Sequence, residues 1–330
     1  MDFWYQKSFK ARLMAAVLLP LAWLFGFIAW IRKTLYRAHI LKSYRPTVPV
    51  IIIGNLSVGG NGKTPVTLWL AELLQKNGLK VGIISRGYGS KSPYYPRIVK
   101  IDEPAVEVGD EPLLLAKRSG VPVCIGANRQ QAIELLQQHY PLDVILSDDG
   151  LQHYALARDL EIVVIEAKRG LGNGLLMPAG PLRESEKRLQ SVDFIINNGG
   201  LTPYSQNIMQ LVPSCAINVQ TGERKSLDDF QHQNAIALAG IGNPQRFFDM
   251  LMDMDIILQD TFAFADHQAF DQSLLVNLPD DIPVFMTEKD AVKCHTFAKS
   301  NWWYVPVDAQ ITGNILSKIE AWSQKQKNKK

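Results

Sequence analysis

Apolar positions along the chain fall into two regimes: one continuous run near the N-terminus, then a long alternation of short strands and helices. Leu13–Ile31 is nineteen residues without a charge. As a helix it is about 28 Å long, close to the ~30 Å hydrocarbon core of a bilayer. Trp23 and Trp30 suit an interface, lysines and arginines flank both ends, and Pro20 predicts a kink. From Arg32 to Lys42 the pattern turns amphipathic, with Leu35, Tyr36, Ile40 and Leu41 set among Arg32, Lys33, Arg37 and Lys42. A helix at headgroup level has that pattern. No small-x-small cleavage site follows, which disfavours a signal peptide. A buried core helix stands as the alternative to a segment that spans the bilayer or lies in one leaflet.

The body opens with the β-branched run Val50–Ile53, a glycine-rich turn, and a helix carried by Leu68, Leu70, Ala71, Leu73 and Leu74. Further strands are expected at 81–85, 121–125, 144–147, 160–165 and around Ile195–Ile196, with helices at 112–119 and 129–139. Short apolar runs separated by helix-length stretches predict a mostly parallel sheet with helices on both faces. Between Gly199 and Arg224 the text thins to Gly, Pro, Ser and Asn around two short strands, 208–212 and 216–219. A second α/β unit follows: strands at 235–239, 256–262, 284–287 and 303–307, helices at 244–252 and 311–322, then a solvated, disordered lysine-rich tail (Lys325, Lys327, Lys329, Lys330).

Composition adds a polarity to this picture. Of 330 residues, 47% are hydrophobic and 20% charged, and the net charge is +3. Residues 1–50 hold eight Lys/Arg against Asp2 alone, so a basic, apolar end is joined to a mildly acidic body. That distribution points to a membrane surface rather than to nucleic acid. If Leu13–Ile31 spans, the five basic residues after it outnumber the three before it and place the body in the cytoplasm. Cys124, Cys215 and Cys294 are far apart and form no C-x-x-C pair, which fits a reducing compartment.

Candidate chemistry begins in the glycine turn. Ser57-Val58-Gly59-Gly60-Asn61-Gly62-Lys63-Thr64 lies between a strand and a helix, the setting in which a P-loop has physical meaning. Small residues let backbone N–H groups curl around phosphate, Lys63 reaches the β/γ-phosphates, and the Thr64 hydroxyl binds Mg²⁺. Ser57 stands where the strict pattern has its first glycine. The bland reading is a plain glycine turn.

Asp148 and Asp149 end the strand at 144–147, at the carboxyl edge where ligands bind in open α/β sheets. A metal-binding Walker B role competes there with a simple Asp-Gly turn, and Gln152 and His153 follow into the same cleft. Asp110 and Glu111 precede Pro112. They either cap a helix or supply a general base and a metal-positioning acid. Arg86 and Tyr88, in Ser85-Arg86-Gly87-Tyr88-Gly89, also follow a strand, where Arg86 can hold a phosphate. Arg183 belongs to a Gly/Pro-rich loop over residues 170–181, the expected place for a mobile segment and for charge stabilisation of a transferring phosphoryl group. Asp266-His267 ends a strand; the histidine either tunes a base across an interdomain cleft or is structural. Thr287–Lys293 reads as a charged, capped surface turn into a helix.

In this order, GNLSVGGNGKTP, SRGYG, GDEP, DDGLQH, GLLMPAGPLRE, GIGNPQRFF, FADH and TEKDAVK, behind an apolar N-terminal helix, resemble the tetraacyldisaccharide 4′-kinase family over nearly the whole chain. The family's own loop carries a serine at the position of Ser57. The resemblance implies two α/β/α sandwich domains around a cleft, the first P-loop NTPase-like. The corresponding division is 1–46 for the membrane-associating helix, 47–205 for the P-loop domain, 206–223 for a two-stranded linker and 224–330 for the second domain. It further implies transfer of the ATP γ-phosphate to the 4′-hydroxyl of tetraacyldisaccharide 1-phosphate, at the cytoplasmic face of a Gram-negative inner membrane. ATP and Mg²⁺ are the expected cofactors, and no obligate protein partner is expected. By the same resemblance Lys63 and Thr64 hold ATP and Mg²⁺, Asp110 is the base, and His267 tunes it. Asp148 or Asp149 serves the metal, and Arg183 contacts substrate or transition state. Gln268 stands where the family often has a second histidine. The rival from another class is a membrane-associated ATPase switch with a deviant P-loop, whose signature lysine would occupy the place of Val58.

Overall fold

The computed structural model describes residues 2–328. The N-terminal helix α1 (Phe9–Arg37) is one continuous element that runs through Pro20. Its N-terminus is capped by the Ser8 side chain, which accepts from Ala11 N. Helix ends at Arg37, and residues 38–41 are turn and bend rather than the amphipathic helix expected there. Only a small-residue stripe, Ala11, Ala15 and Ala22, is buried against the body. Leu13, Val17, Leu21, Trp23, Leu24, Phe27 and Ile28 are exposed.

The first domain is a nine-stranded sheet. Its elements are β1 (Val50–Gly54), α2 (Lys63–Lys76), β2 (Val81–Ser85), β3 (Arg97–Ile98), α3 (Ala105–Val108), α4 (Asp110–Ser119), β4 (Val123–Ile125), α5 (Arg129–His139), β5 (Val144–Asp148), β6 (Leu160–Glu166), β7 (Phe194–Asn198) and β8 (Ile208–Pro213). The order is β15-β8-β7-β6-β1-β5-β2-β4-β3, where β15 is Val307–Thr312. Pairing is parallel from β8 through β4 and antiparallel only at the two edges. Strand β1 is buried on both faces, as a central parallel strand must be. Ile51 and Ile53 pack on the side of α2 and α4, Val50 and Ile52 on the side of α5.

The second domain holds β9 (Ala216–Asn218), β10 (Arg224–Lys225), β11 (Asn234–Ala239), α6 (Pro244–Met252), β12 (Ile257–Ala263), α7 (Gln272–Leu275), β13 (Val284–Thr287), α8 (Glu288–Cys294) and β14 (Trp302–Val305), with sheet order β10-β9-β14-β13-β11-β12.

The structure departs from the expected division in two places. The two strands placed in a linker do not pair with each other: β8 joins the first sheet and β9 the second. The chain also returns to the first domain after β14. Val307–Thr312 pairs antiparallel with β8, and α9 (Ile315–Lys327) packs Ile315 and Ile319 into the first core. Ile311 is therefore strand, not the start of the terminal helix. Lys325 and Lys327 are helical rather than disordered, while Lys329 and Lys330 lie outside the described residues.

Candidate active site

The carboxyl edge of the first sheet faces the second domain across a cavity of about 1890 Å³. Gly59 through Thr64 line it at the C-terminal end of β1. Gly62 has φ +90°, and the side chain of Asn198 leaves no room for a Cβ there. The loop is braced from within: the Asn61 amide donates to Gly59 O at 3.1 Å, and Asn198 Nδ2 donates to Asn61 O at 3.0 Å. Ser57 and Val58 do not line the cavity. Ser57 Oγ donates to Asn61 Oδ1 at 3.3 Å, and Val58 N is taken by Pro181 O at 2.9 Å. The Gly/Pro-rich loop is thus clamped rather than free, since Arg183 N also donates to Leu56 O, Trp4 Nε1 to Pro178 O, and Ser57 bridges Leu182.

Lys63, first residue of α2, places Nζ 3.7 Å from Asp149 Oδ1. Arg183 Nη1 donates to both oxygens of Asp149, at 3.0 and 3.1 Å. Burial works to raise the Asp149 pKa, but Lys63 and Arg183 outweigh it and hold the carboxyl below its ordinary value. Asp148, the last residue of β5, differs. It is 2% exposed, accepts from Thr67 Oγ1 at 3.3 Å, and is pushed well above the carboxylate range by burial and then by the charge of Glu111. Arg129, unremarked in the sequence reading, is buried beneath it and donates to Asp148 O at 3.0 Å. Among the described residues no three acids, histidines or cysteines cluster closely enough to hold a metal by themselves, but Mg²⁺ in kinases needs only one or two carboxylates beside the phosphates, and Asp148 and Asp149 are at hand.

On the opposite wall, α4 begins directly at Asp110 behind Gly109, whose φ is +91°. Asp110 Oδ1 accepts from Glu111 N at 2.8 Å, and both its oxygens contact His267 Nδ1, at 3.0 and 3.2 Å. Asp110 is thus the first residue of α4 rather than its cap, which is Gly109 without a side-chain capping bond. Burial alone would raise its pKa; the His267 hydrogen bond and the charges of Lys289 and Lys293 bring it down to about 2. His267 sits at φ +61° in the loop after β12, with its ring edge-on to Tyr88 at 5.0 Å. Its pKa is raised by the Asp110 hydrogen bond.

The TEKDAVK turn is not surface. Lys289 and Lys293 side chains are 12% and 7% exposed and point at this acid pair. Charge-rich sequence hid them, and the signal available was their i, i+4 spacing on one face of α8.

Arg86, Gln152 and His153 line the same cavity. Gln152 Nε2 donates to Asn55 O and Glu184 Oε1, both at 3.2 Å. His153 is pushed down to about 4, by burial first and then by Arg129 and other arginines. Glu184 ties this floor to α1, accepting from Lys33 Nζ at 3.1 Å and from the Tyr154 hydroxyl. The cavity continues along α1 past Gly26, Trp30 and Arg37.

A glycine-rich loop between a central parallel strand and a helix that opens with Lys63 and Thr64 places the protein among the P-loop proteins. Comparison narrows the class. The family described as LpxK, tetraacyldisaccharide-1-P 4′-kinase, matches residues 14–324, and the chain belongs to it. Relatives named tetraacyldisaccharide 4′-kinase include that of Histophilus somni, 56% identical over 331 residues and 100% of both chains. That of Haemophilus influenzae is 57% identical over 94% of this chain and 92% of its own. The structure of LpxK from Aquifex aeolicus in complex with ATP is similar with a TM-score of 0.79, at 29% identity over 93% of this chain and 98% of that one.

Proposed function

We propose that the protein transfers the γ-phosphate of ATP to the 4′-hydroxyl of tetraacyldisaccharide 1-phosphate at a membrane surface. The carrying observation is the Asp110–His267 contact, made across the cleft from the P-loop that holds Lys63. In this reading Gly59–Thr64 cradle the triphosphate, with Ser57 and Val58 supporting the loop from behind. Lys63 and Arg183, joined through Asp149, neutralise charge on the transferring phosphoryl group. Thr64, Asp148, Asp149 and Glu111 are the residues that would hold Mg²⁺, which would offset charge on the phosphates. Asp110 accepts the proton of the sugar hydroxyl, and His267 orients its carboxylate. Arg86, Tyr88, Gln152 and His153 line the sugar side.

The N-terminal helix supports a monotopic attachment. Its small-residue face is packed on the body and Lys33 is bound to Glu184, so a span would have to leave both. Its other face presents Leu21, Trp23, Leu24 and Ile28, the kind of surface that sinks into one leaflet. A substrate with four acyl chains stays in the bilayer, since each buried CH₂ is worth ~0.8 kcal/mol. The cavity that runs from α1 to the P-loop lets its headgroup reach ATP without leaving. The basic residues of the N-terminal end suit the anionic cytoplasmic leaflet of the inner membrane.

The test is transfer of labelled γ-phosphate from Mg-ATP to tetraacyldisaccharide 1-phosphate in detergent micelles, with Lys63→Ala as control. Labelled lipid, lost in the variant, is the expected result. Free phosphate without labelled lipid overturns the reading in favour of an ATPase switch.

A further inference from the structure

Arg169 stands where three separate stretches of the chain meet. It lies in the turn after β6, which is closed by Gly170 N donating to Glu166 O at 2.8 Å and Gly172 N to Arg169 O at 3.0 Å. The buried Glu166 carboxylate accepts from Arg169 N at 2.8 Å and from its Nε at 3.3 Å. That aims the guanidinium and leaves both Nη atoms for other partners. Nη1 lies against the phosphate loop, 3.7 Å from where a Cβ on Gly59 would stand. Nη2 donates to Gly242 O in the second domain at 3.4 Å. The guanidinium carbon is 5.7 Å from the centre of the Tyr5 ring, in the segment that leads into α1.

A surface ion pair of i, i+3 spacing does not account for this arrangement. The side chains of Arg169 and Glu166 are 24% and 7% exposed, and the pair uses only one edge of the guanidinium. Tyr5 is itself held in place by its neighbour. Trp4 is buried, its Nε1 donates to Pro178 O at 3.0 Å, and its carbonyl oxygen lies 3.0 Å from where a Cβ on Gly172 would stand. A guanidinium over an aromatic face is attracted by the ring's quadrupole, more strongly where water is excluded. On the other side, Gly60 and Gly242 meet with no side chain on either: a Cβ on Gly60 would stand 3.4 Å from Gly242 Cα. Arg169 supplies the hydrogen bond that ties Gly242 to the first domain at this point.

We propose that Arg169 is a positioning residue of the nucleotide site, which clasps the second-domain loop at Gly242 over the phosphate loop, and that Tyr5 holds this clasp in register. An arginine suits the place because its planar fork makes several directed contacts at once, which a lysine ammonium does not. The fixed cation beside Gly59 also adds to the positive potential in which a triphosphate sits. The segment that carries Tyr5 leads directly into α1. The part of the chain that meets the lipid surface is therefore tied, through one side chain, to the loop that holds ATP. This rests on the kinase reading above for the nucleotide, but affinity for ATP can be measured without lipid substrate or turnover.

The experiment is titration calorimetry of Mg-ATP into the full chain in detergent micelles, with the lipid-phosphorylation assay run on the same variants. Arg169→Met is expected to weaken ATP binding by about 10-fold or more, the scale of a hydrogen bond made by a charged group. In the assay it raises KM for ATP by more than it lowers kcat. Tyr5→Leu removes the ring and is expected to weaken ATP binding by about 3-fold, whereas Tyr5→Phe keeps the ring and stays within about 2-fold of the wild type. Because Tyr5 acts through Arg169, the two losses do not add: Tyr5→Leu costs nothing further in an Arg169→Met background. Should Arg169→Met fail to fold, the contrast between Tyr5→Leu and Tyr5→Phe carries the test. Wild-type ATP affinity in Arg169→Met, equal affinities in Tyr5→Leu and Tyr5→Phe, or losses that add in the double variant overturn the proposal. A wild type that binds ATP but labels no lipid sinks the kinase reading, whereas the calorimetry still decides the role of Arg169.

Discussion

His267 and Asp110 are 157 residues apart in sequence and 3.0 Å apart in space, and each comes from a different domain. The base of the proposed reaction is thus completed by the second domain. Asp110→Asn keeps the shape of the site and removes the proton acceptor. It is expected to lower kcat for lipid phosphorylation by about 10³-fold, with ATP affinity by titration calorimetry unchanged. Near-full turnover in that variant would remove Asp110 from the mechanism.

Arg183 and Lys63 share one carboxylate, Asp149. Arg183→Met leaves Asp149 with Lys63 and, on the proposed function, withdraws a cation from the transferring phosphoryl group. A fall in kcat on the order of 10²-fold is expected, larger than any change in KM for the lipid. Steady-state kinetics with each substrate varied in turn separates the two.

A pH dependence of stability follows from Asp110. Its folded pKa, about 2, lies below the ordinary carboxyl value of 3.8, so the stabilisation is full at neutral pH. It is lost as the pH falls from about 4 to about 2, where the folded state must take up the proton. The shift corresponds to roughly 2 kcal/mol, counted once for the Asp110–His267 pair. Asp110→Asn should therefore flatten the acid limb of the denaturation midpoint over that window. An unchanged acid limb would show that the contact adds nothing to stability.

Gly242, in the loop before α6, touches the phosphate loop: a Cβ built there lies 2.6 Å from Gly60 N and 3.0 Å from Gly60 Cα. Those are backbone atoms, which cannot swing aside. Gly242→Val should hold the domains apart and raise KM for ATP by about 10-fold or more, on the scale of 1–3 kcal/mol for overpacking. Thermal unfolding of the second domain should change little. Wild-type KM in Gly242→Val would mean that the two loops need not touch during turnover.

The exposed face of α1 gives a separate prediction. Leu24→Asp and Ile28→Asp together should weaken binding to anionic vesicles by about 10-fold or more, while turnover of detergent-solubilised lipid stays nearer to wild type. Co-sedimentation with vesicles measures the first and the kinase assay the second.

Much of this was legible in the sequence where the signal is local. The run Val50–Ile53, the helix Arg129–His139 and the acids ending β5 follow from periodicity and from glycine placement, because each element is specified by its own neighbours. Lys289 and Lys293 were hidden for the opposite reason. A lysine surrounded by acids reads as a solvated turn unless the fold brings a second acidic pair to it, and Asp110 and Glu111 arrive from another domain. The return of the chain after β14 was missed because Val307, Ala309 and Ile311 alternate with period two, whereas Ile311, Ile315 and Ile319 share a helical spacing. The helical signal swallowed the strand's last two residues, Ile311 and Thr312. Gly313, at φ +110°, separates them.

That return has a mechanical consequence. The polypeptide leaves the first sheet after β8 and re-enters it as β15, and these two strands are hydrogen-bonded neighbours from Val307–Pro213 to Thr312–Ile208. The second domain hangs from two adjacent attachment points, like a door on a pair of pins. Both connections thus leave the first sheet side by side at Pro213 and Val307, and the stretch hung between them carries His267 and Lys289 to Asp110 and Glu111.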